Sequence, residues 1–411
     1  MSGNPAANQP LAGVTVLDLT QIYNGPYATF LMAAAGARVV KIEPPEGEHL
    51  RKRQASKGIT EPFAVLNARK ESLALDLKQA AAKDVLLRLV AKADVLVENF
   101  APGVMDRLGL GEEVLRVANP KLIIASSSGY GSTGPYRDYP AMDVTVQAMT
   151  GVIGITGFDD GPAVKAGPAI GDFFGGVHLY GAILTALYRR ATTGIGSTVE
   201  VSMMSAVFPS LLSNLGLYRP DLAGPKRTGN RHGGLKMAPY NVYPALDGSL
   251  AILAVKEAHW VSLTKALNLD ELRSDPRFGT KAERIRHMDE LDALIGAATR
   301  LRLKATLVDA LIAVRVPCAP VRELAEVVHD EHLHATGMLA WVDHPVYGRI
   351  LAHGTPLRFA DLPAAGYQPS AKLGADAKAV LAELLGVDGA EFADLDAAGT
   401  FGRVPPDEVG R

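Results

Sequence analysis

Asp172 is the residue in this sequence best placed to do chemistry. It is the single acidic side chain between Gly161 and Tyr188, in GPAVKAGPAIGDFFGGVHLYGAILTALY. Gly171 precedes it and Gly175 and Gly176 follow. Beyond them Val177, Leu179, Tyr180, Ile183, Leu184 and Leu187 predict a helix too apolar for a surface, so Asp172 is expected where a buried helix begins. Two roles fit such a carboxylate. One is a helix cap, because Asp readily satisfies the free N–H groups of a first turn. The other is a catalyst, because three glycines in six residues let a ligand or a second backbone approach closely, and a helix N-terminus favours negative charge.

The elements that must hold this carboxylate alternate strand and helix. Val14–Leu19 reads as a buried strand, Tyr27–Ala35 as a helix closed by Gly36, and Ala37–Glu43 as a second strand. The pattern returns with strand Ser72–Leu77, helix Gln79–Ala93, strand Asp94–Glu98 and strand Leu122–Ser128. Such alternation predicts an α/β, Rossmann-like domain whose parallel sheet is covered on both faces. Gly129–Gly134 spells G-x-G-x-x-G, yet Pro135 and Pro140 follow and no helix opens there to meet a pyrophosphate. After the first strand the chain reads TQIYNGP, with no dinucleotide fingerprint, which argues against a nucleotide-dependent oxidoreductase; no Walker A motif and no G-x-S-x-G elbow occurs either.

Composition narrows the classes further. Lys and Arg total 42 against 44 Asp and Glu, so no positive field draws the chain to nucleic acid or an anionic membrane. No membrane-spanning apolar run is read, and the start MSGNPAANQP lacks the features of a signal peptide. The one cysteine, Cys318, excludes an internal disulfide and fits a reducing compartment, so a cytoplasmic protein is expected. HDEHLH (His329–His334) matches no standard zinc spacing, and no metal site is expected. Arg51–Arg53 reads as a solvated loop rather than a phosphate clamp.

Beyond strand Ser197–Met203 and a helix expected over Ser205–Leu217, the stretch Tyr218–Tyr240 is rich in Pro and Gly and marks a domain boundary. The expected division is a large Rossmann-like domain with first segment 11–220, a linker with a glycine-rich loop over 221–240, and a smaller α+β domain over 241–328. Residues 329–411 then return to the large domain and end in a helix packed on it. Asp247-Gly248 between apolar runs predicts a hairpin in the smaller domain, and HPVYGRILAHGTPLRF a second one beyond it.

In order along nearly the whole chain come LAGVTVLDLT with NGP after it, GARVVKIEPPEG, ARKESLALDLK, ADVLVENFAPGVMDRLGLG, ANPKLIIASSSGYGSTGPY, PAIGDFFGG, GNRHGG, DPRFGTKAERIRHMDEL, VPCAPV and KLGADAKAVLAELLG. This series resembles the class III coenzyme A transferases, which include formyl-CoA, carnitine-CoA and bile-acid-CoA transferases. The resemblance implies that Asp172 is the nucleophile, moving coenzyme A from an acyl-CoA to a free carboxylic acid through aspartyl anhydride and aspartyl-CoA thioester intermediates. It implies Tyr23, Asn24, Leu75, Asp76, Leu77, Lys78, Asn99, Phe100, Arg107 and Asp143 as coenzyme A binders. Backbone amides near Gly175 and Gly176 are the candidate oxyanion donors. Gly233 and Gly234, in GNRHGG, match the family's mobile covering loop.

No tightly bound cofactor is implied, only coenzyme A as co-substrate, and an interlocked, ring-like homodimer is implied by the same likeness. The family often has Lys-Arg-Ser where this chain reads Lys70-Glu71-Ser72, and Arg69 is the candidate replacement for the missing cation. Two alternatives share the motif: an α-methylacyl-CoA racemase, and a CoA-binding protein without turnover. The racemase branch has a His-Asp pair where this chain has Met142-Asp143, and a thioether carries no proton. His178, on the apolar helix, is expected to be a hydrogen-bonded core residue that does not replace it.

Overall fold

The computed structural model describes residues 8–53, 58–218, 221, 227–363 and 366–402. Six strands form one parallel sheet: β1 (Thr15–Asp18), β2 (Arg38–Glu43), β3 (Glu71–Ala74), β4 (Val95–Glu98), β5 (Ile123–Ser128) and β6 (Ser197–Ser202). Their order is β3-β2-β1-β4-β5-β6, which is the doubly wound Rossmann arrangement. Side chains alternate along each strand, so neighbouring residues serve opposite layers. Val16, Val39, Val95, Val97 and Ile123 pack with Ala28 and Met32 of the first helix (Asn24–Ala34) and with Leu179 and Ile183 of a long helix (Ile170–Thr193). Leu17, Val40, Leu96 and Ile124 face the other way, onto the helix Ala80–Val90 and the helix Ala377–Leu385.

Two expected helices differ from those observed. The first helix starts at Asn24 rather than Tyr27, because Pro26 has no N–H to lose in a first turn, and the Tyr27 N–H donates to the Tyr23 carbonyl at 2.9 Å. The helix expected over Ser205–Leu217 is broken into Met203–Val207, a 3₁₀ turn Phe208–Leu211 and Leu212–Leu215. Pro209 stands in the turn and cannot donate to a continuing helix.

The long helix is half-exposed rather than buried. Gly171, Gly175, Gly176, Leu179, Ile183 and Ala186 face inward, while Phe174, Val177, His178, Gly181, Thr185 and Tyr188 make an exposed stripe at helical spacing. His178 is therefore not a core residue; its Nδ1 lies 2.8 Å from the Phe174 carbonyl oxygen on the exposed side. At 24 residues this helix is also long and apolar enough, by length and composition alone, to cross a membrane. Its glycines and Asp172 hide that length in the sequence.

The chain divides into two compact units. One comprises Met1–Val146, Pro168–Val207 and Asp330–Arg411, and the other Gln147–Gly167 with Phe208–His329. Residues 147–167 and 208–220 thus group away from the expected first segment 11–220. The reason is non-local: Arg227 donates to the carbonyls of Phe158 at 2.8 Å and Gly161 at 2.7 Å, a link that reading in chain order does not show. Of the expected linker, residues 222–226 lie outside those described. The second unit carries a three-stranded antiparallel sheet, β7 (Tyr240–Ala245), β8 (Gly248–Leu253) and β9 (Cys318–Pro320), over a core that includes Trp260, Phe278, Leu291 and Leu307. In the first unit, β10 (Leu339–His344) and β11 (Gly348–His353) form a further hairpin.

Candidate active site

In a doubly wound sheet the crevice opens where the strand order reverses, beyond the carboxyl ends of the strands. Here that point lies between β1 and β4. The loops after them, joined by the end of β5, line a cavity of about 500 Å³ with Asp172 in its wall. Asn99 ties the two loops together: its side-chain amide accepts from the Gln21 N–H at 2.8 Å and donates to the Gln21 carbonyl at 2.9 Å.

Asp172 is the third residue of the long helix; the cap position is held by Ala169, with no side-chain cap. Capping is therefore not its role. Burial, and then the neighbouring charge of Asp143, push its carboxyl up to about 7. Asp143 fixes the turn from which Asp172 projects, since its Oδ1 accepts the Gly171 N–H at 2.8 Å. The placement resembles a nucleophile held short of a counter-ion, with no cation bonded to its carboxylate among the described residues.

Gly175 and Gly176 serve packing. A Cβ on Gly175 would stand 2.0 Å from Asn24 Nδ2, and one on Gly176 2.6 Å from the Asn24 carbonyl oxygen. The two glycines let the first helix cross the long one one turn beyond Asp172. Both lie beyond the first turn, where α-helical geometry commits their N–H groups to carbonyls four residues back. The expected oxyanion donors are therefore not these amides.

Asn24, Asn99, Phe100, Arg107 and Asp143 line the same cavity as Asp172. Leu75, Asp76, Leu77 and Lys78 line a second cavity of about 400 Å³, and Gln21 and Phe100 border both. Tyr23 lines neither: its ring stacks on Phe173, 6.2 Å between centroids. Arg69 does not replace a cation at Glu71. Its guanidinium donates to the Gly366 carbonyl, while Glu71 is occupied by Arg38 at 2.7 Å. Gly233 and Gly234 lie in the other compact unit, where the Gly234 N–H donates to His232 Nδ1 at 3.0 Å. Arg51 is no solvated loop residue either: it pairs with Glu43 at 2.8 Å and lies over the Phe63 ring.

The model of CoA-transferase family III matches residues 11–377. The chain belongs to CoA-transferase family III. It is 38% identical to an acetyl-CoA:oxalate CoA-transferase of Acetobacter aceti, over 85% of this chain and 89% of that protein. It is 37% identical to a succinyl-CoA:mesaconate CoA-transferase of Haloarcula hispanica, over 87% and 92% respectively. Among solved structures, a CAIB/BAIF family protein from Brucella suis superposes with a TM-score of 0.79 at 32% identity, covering 92% of this chain and 100% of that one.

This CoA-transferase carries residues in its cavities that sequence reasoning missed. Arg137 and Ser128 line the first cavity, and Glu48 the second. Glu48 Oε2 accepts the Leu50 N–H at 2.9 Å and the Ile22 N–H at 3.3 Å, which pins Ile22 at φ +66° in the loop after β1. Beneath that loop lies a fully buried ion pair. Lys70 Nζ donates to Asp18 Oδ2 at 2.9 Å, Thr29 Oγ1 at 2.8 Å, Asn67 Oδ1 at 2.9 Å and the Pro26 carbonyl at 3.1 Å. Burial alone would raise the Asp18 carboxyl, but Lys41, Lys70 and the Thr20 and Thr29 hydroxyls hold it well below the carboxylate range. Burial pulls Lys70 down to about 8 against the attraction of Asp18. Nothing in the local sequence marks this pair, whose members stand 52 residues apart.

Proposed function

We propose that this CoA-transferase moves coenzyme A from an acyl-CoA to a small carboxylic acid, with Asp172 as the nucleophile. A carboxylate oxygen of Asp172 attacks the thioester carbonyl carbon, the C–S bond breaks, and the sulfur leaves as thiolate with the bonding pair, giving a mixed anhydride. The thiolate then attacks the Asp172 carbonyl and releases the donor acid, leaving an aspartyl-CoA thioester. The acceptor acid reverses the two steps. Thioester energy is conserved throughout.

The observation that carries this reading is a half-buried carboxylate, without a bonded cation among the described residues, in the wall of the cavity at the sheet's switch point. In this reading the acyl end lies in that cavity. The second cavity, which Phe100 joins to the first, takes the rest of coenzyme A along Leu75–Lys78. Lys78 and Arg107 supply positive charge for its phosphates. The relatives that act on oxalate and mesaconate favour a dicarboxylic acid as acceptor. Met142, in the cavity wall, carries no proton where the racemase branch has a histidine, so one of the two bases that racemisation needs is missing. The enzyme acts as a homodimer in the cytoplasm; the exposed Phe174, Val177 and Tyr188 stripe supports association, and light scattering tests it.

The deciding experiment incubates the enzyme with acyl-CoA, adds hydroxylamine and maps the product by mass spectrometry. A hydroxamate at Asp172 is expected, and modification at another carboxylate overturns the assignment.

A further inference from the structure

Asn24 is the polar side chain in the catalytic cavity that the fold itself leaves unused. It is 4% exposed, and neither its Nδ2 nor its Oδ1 has a hydrogen-bond partner among the described residues. A buried amide left unpaired has given up its water for nothing, and folded proteins pair nearly all such groups. Asn99 shows the usual outcome in the same cavity: both ends of its amide are taken by Gln21.

The long helix fixes where Asn24 stands relative to the nucleophile. Asn24 Nδ2 occupies the space a Cβ on Gly175 would fill. Gly175 comes three residues after Asp172, and positions three apart share a helix face with Cβ sites roughly 5–6 Å apart. A donor at that distance brackets the carbon that Asp172 attacks, from a side chain already held by the crossing of two helices. Catalysis gains most from donors fixed before the reaction, where negative charge develops.

We propose that Asn24 Nδ2 donates a hydrogen bond to the carbonyl oxygen of the bound thioester and stabilises the oxyanion formed when Asp172 attacks. The inference rests on Asp172 being the nucleophile. In this step the new C–O bond forms, the carbonyl π pair moves onto the oxygen held by Asn24, and its return expels the thiolate; no proton changes hands. Asn24 thereby supplies the donor that Gly175 and Gly176 do not.

The test compares Asn24→Leu and Asn24→Ala with wild type, measuring kcat, KM for acyl-CoA, free CoA affinity and melting temperature, with Asp172→Ala in parallel. A loss of about 100-fold in kcat is expected in both Asn24 variants, with KM and CoA affinity within about threefold. Asn24→Leu is expected to melt no lower than wild type, because an unpaired amide replaced by an apolar group of similar size loses no bond. A kcat within threefold of wild type in either variant overturns the inference. So does a failure of both to fold, which would give Asn24 a structural role. If Asp172→Ala stays active the nucleophile assignment itself falls; if it is dead while Asn24→Leu is fully active, only the role of Asn24 falls.

Discussion

Two aspartates in the same unit are sheltered from water, and their surroundings drive them in opposite directions. Asp18 is 0% exposed yet stays ionised, because two lysines and two threonine hydroxyls converge on it. Asp172 is less deeply placed, yet its carboxyl rises to about 7, because burial and Asp143 both disfavour its charge. Depth alone therefore does not mark a functional carboxylate. What distinguishes them is the partner set: Asp18 is locked into the fold, whereas Asp172 is left for a ligand to answer.

The contrast breaks most sharply on removing each pair's key member. Asp172→Ala is expected to lower transfer by at least about 10⁴-fold while CoA affinity stays within a few fold, since the nucleophile touches only the thioester end. A coupled acyl-exchange assay with calorimetric CoA titration checks both. Lys70→Met is expected to act on stability instead, costing about 3–5 kcal/mol because it leaves Asp18 buried with one cation fewer. Urea unfolding measures this, and an unchanged midpoint would mean that the pair contributes little.

Smaller changes sharpen the comparison. In the free enzyme Asp172 must lose its proton to attack, so kcat/KM is expected to rise with pH through about 7. Asp143→Asn removes the lesser of the two causes of that elevated value, so the acid limb of the profile should move to lower pH. A limb that stays in place would assign the shift to burial alone. The last expected effect is on thermal stability. The folded-state value of Asp172 lies above its ordinary 3.8, so the folded chain holds this proton more tightly than the unfolded chain does. That contribution is fully present below 3.8 and is lost as pH rises through about 7. Asp172→Asn is therefore expected to melt a few degrees higher than wild type at pH 8, with the gap closing towards pH 4.

The parallel sheet was legible because each strand's apolar residues fall in short runs that alternate with crossover helices, whereas the strand order rests on the pairing itself. Asp172 was legible from its glycines, although these serve a helix crossing and leave its neighbours' amides inside the helix. The rest depended on contacts between distant residues. Lys70 reads as one member of a charged loop until Asp18 is brought to it, and Arg227 reads as linker until it meets Phe158 and Gly161. His178 was misread because an apolar helix can still show one face to solvent, and nothing in its own heptad says which.

The enclosure of Lys41 and Lys70 bears on the chemical lifetime of an enzyme that works on activated acids. Thioesters acylate free amines without any catalyst, and a lysine whose proton is loosened is the more susceptible. Lys70, drawn down to about 8, would be an obvious casualty if it stood in the open. At 4% exposure, with four oxygens around its nitrogen, it is out of range of the acyl donor, as is Lys41 at 1%. The fold thus keeps its two structural amines from being consumed by its own substrate, and leaves self-inflicted acylation to lysines at the surface.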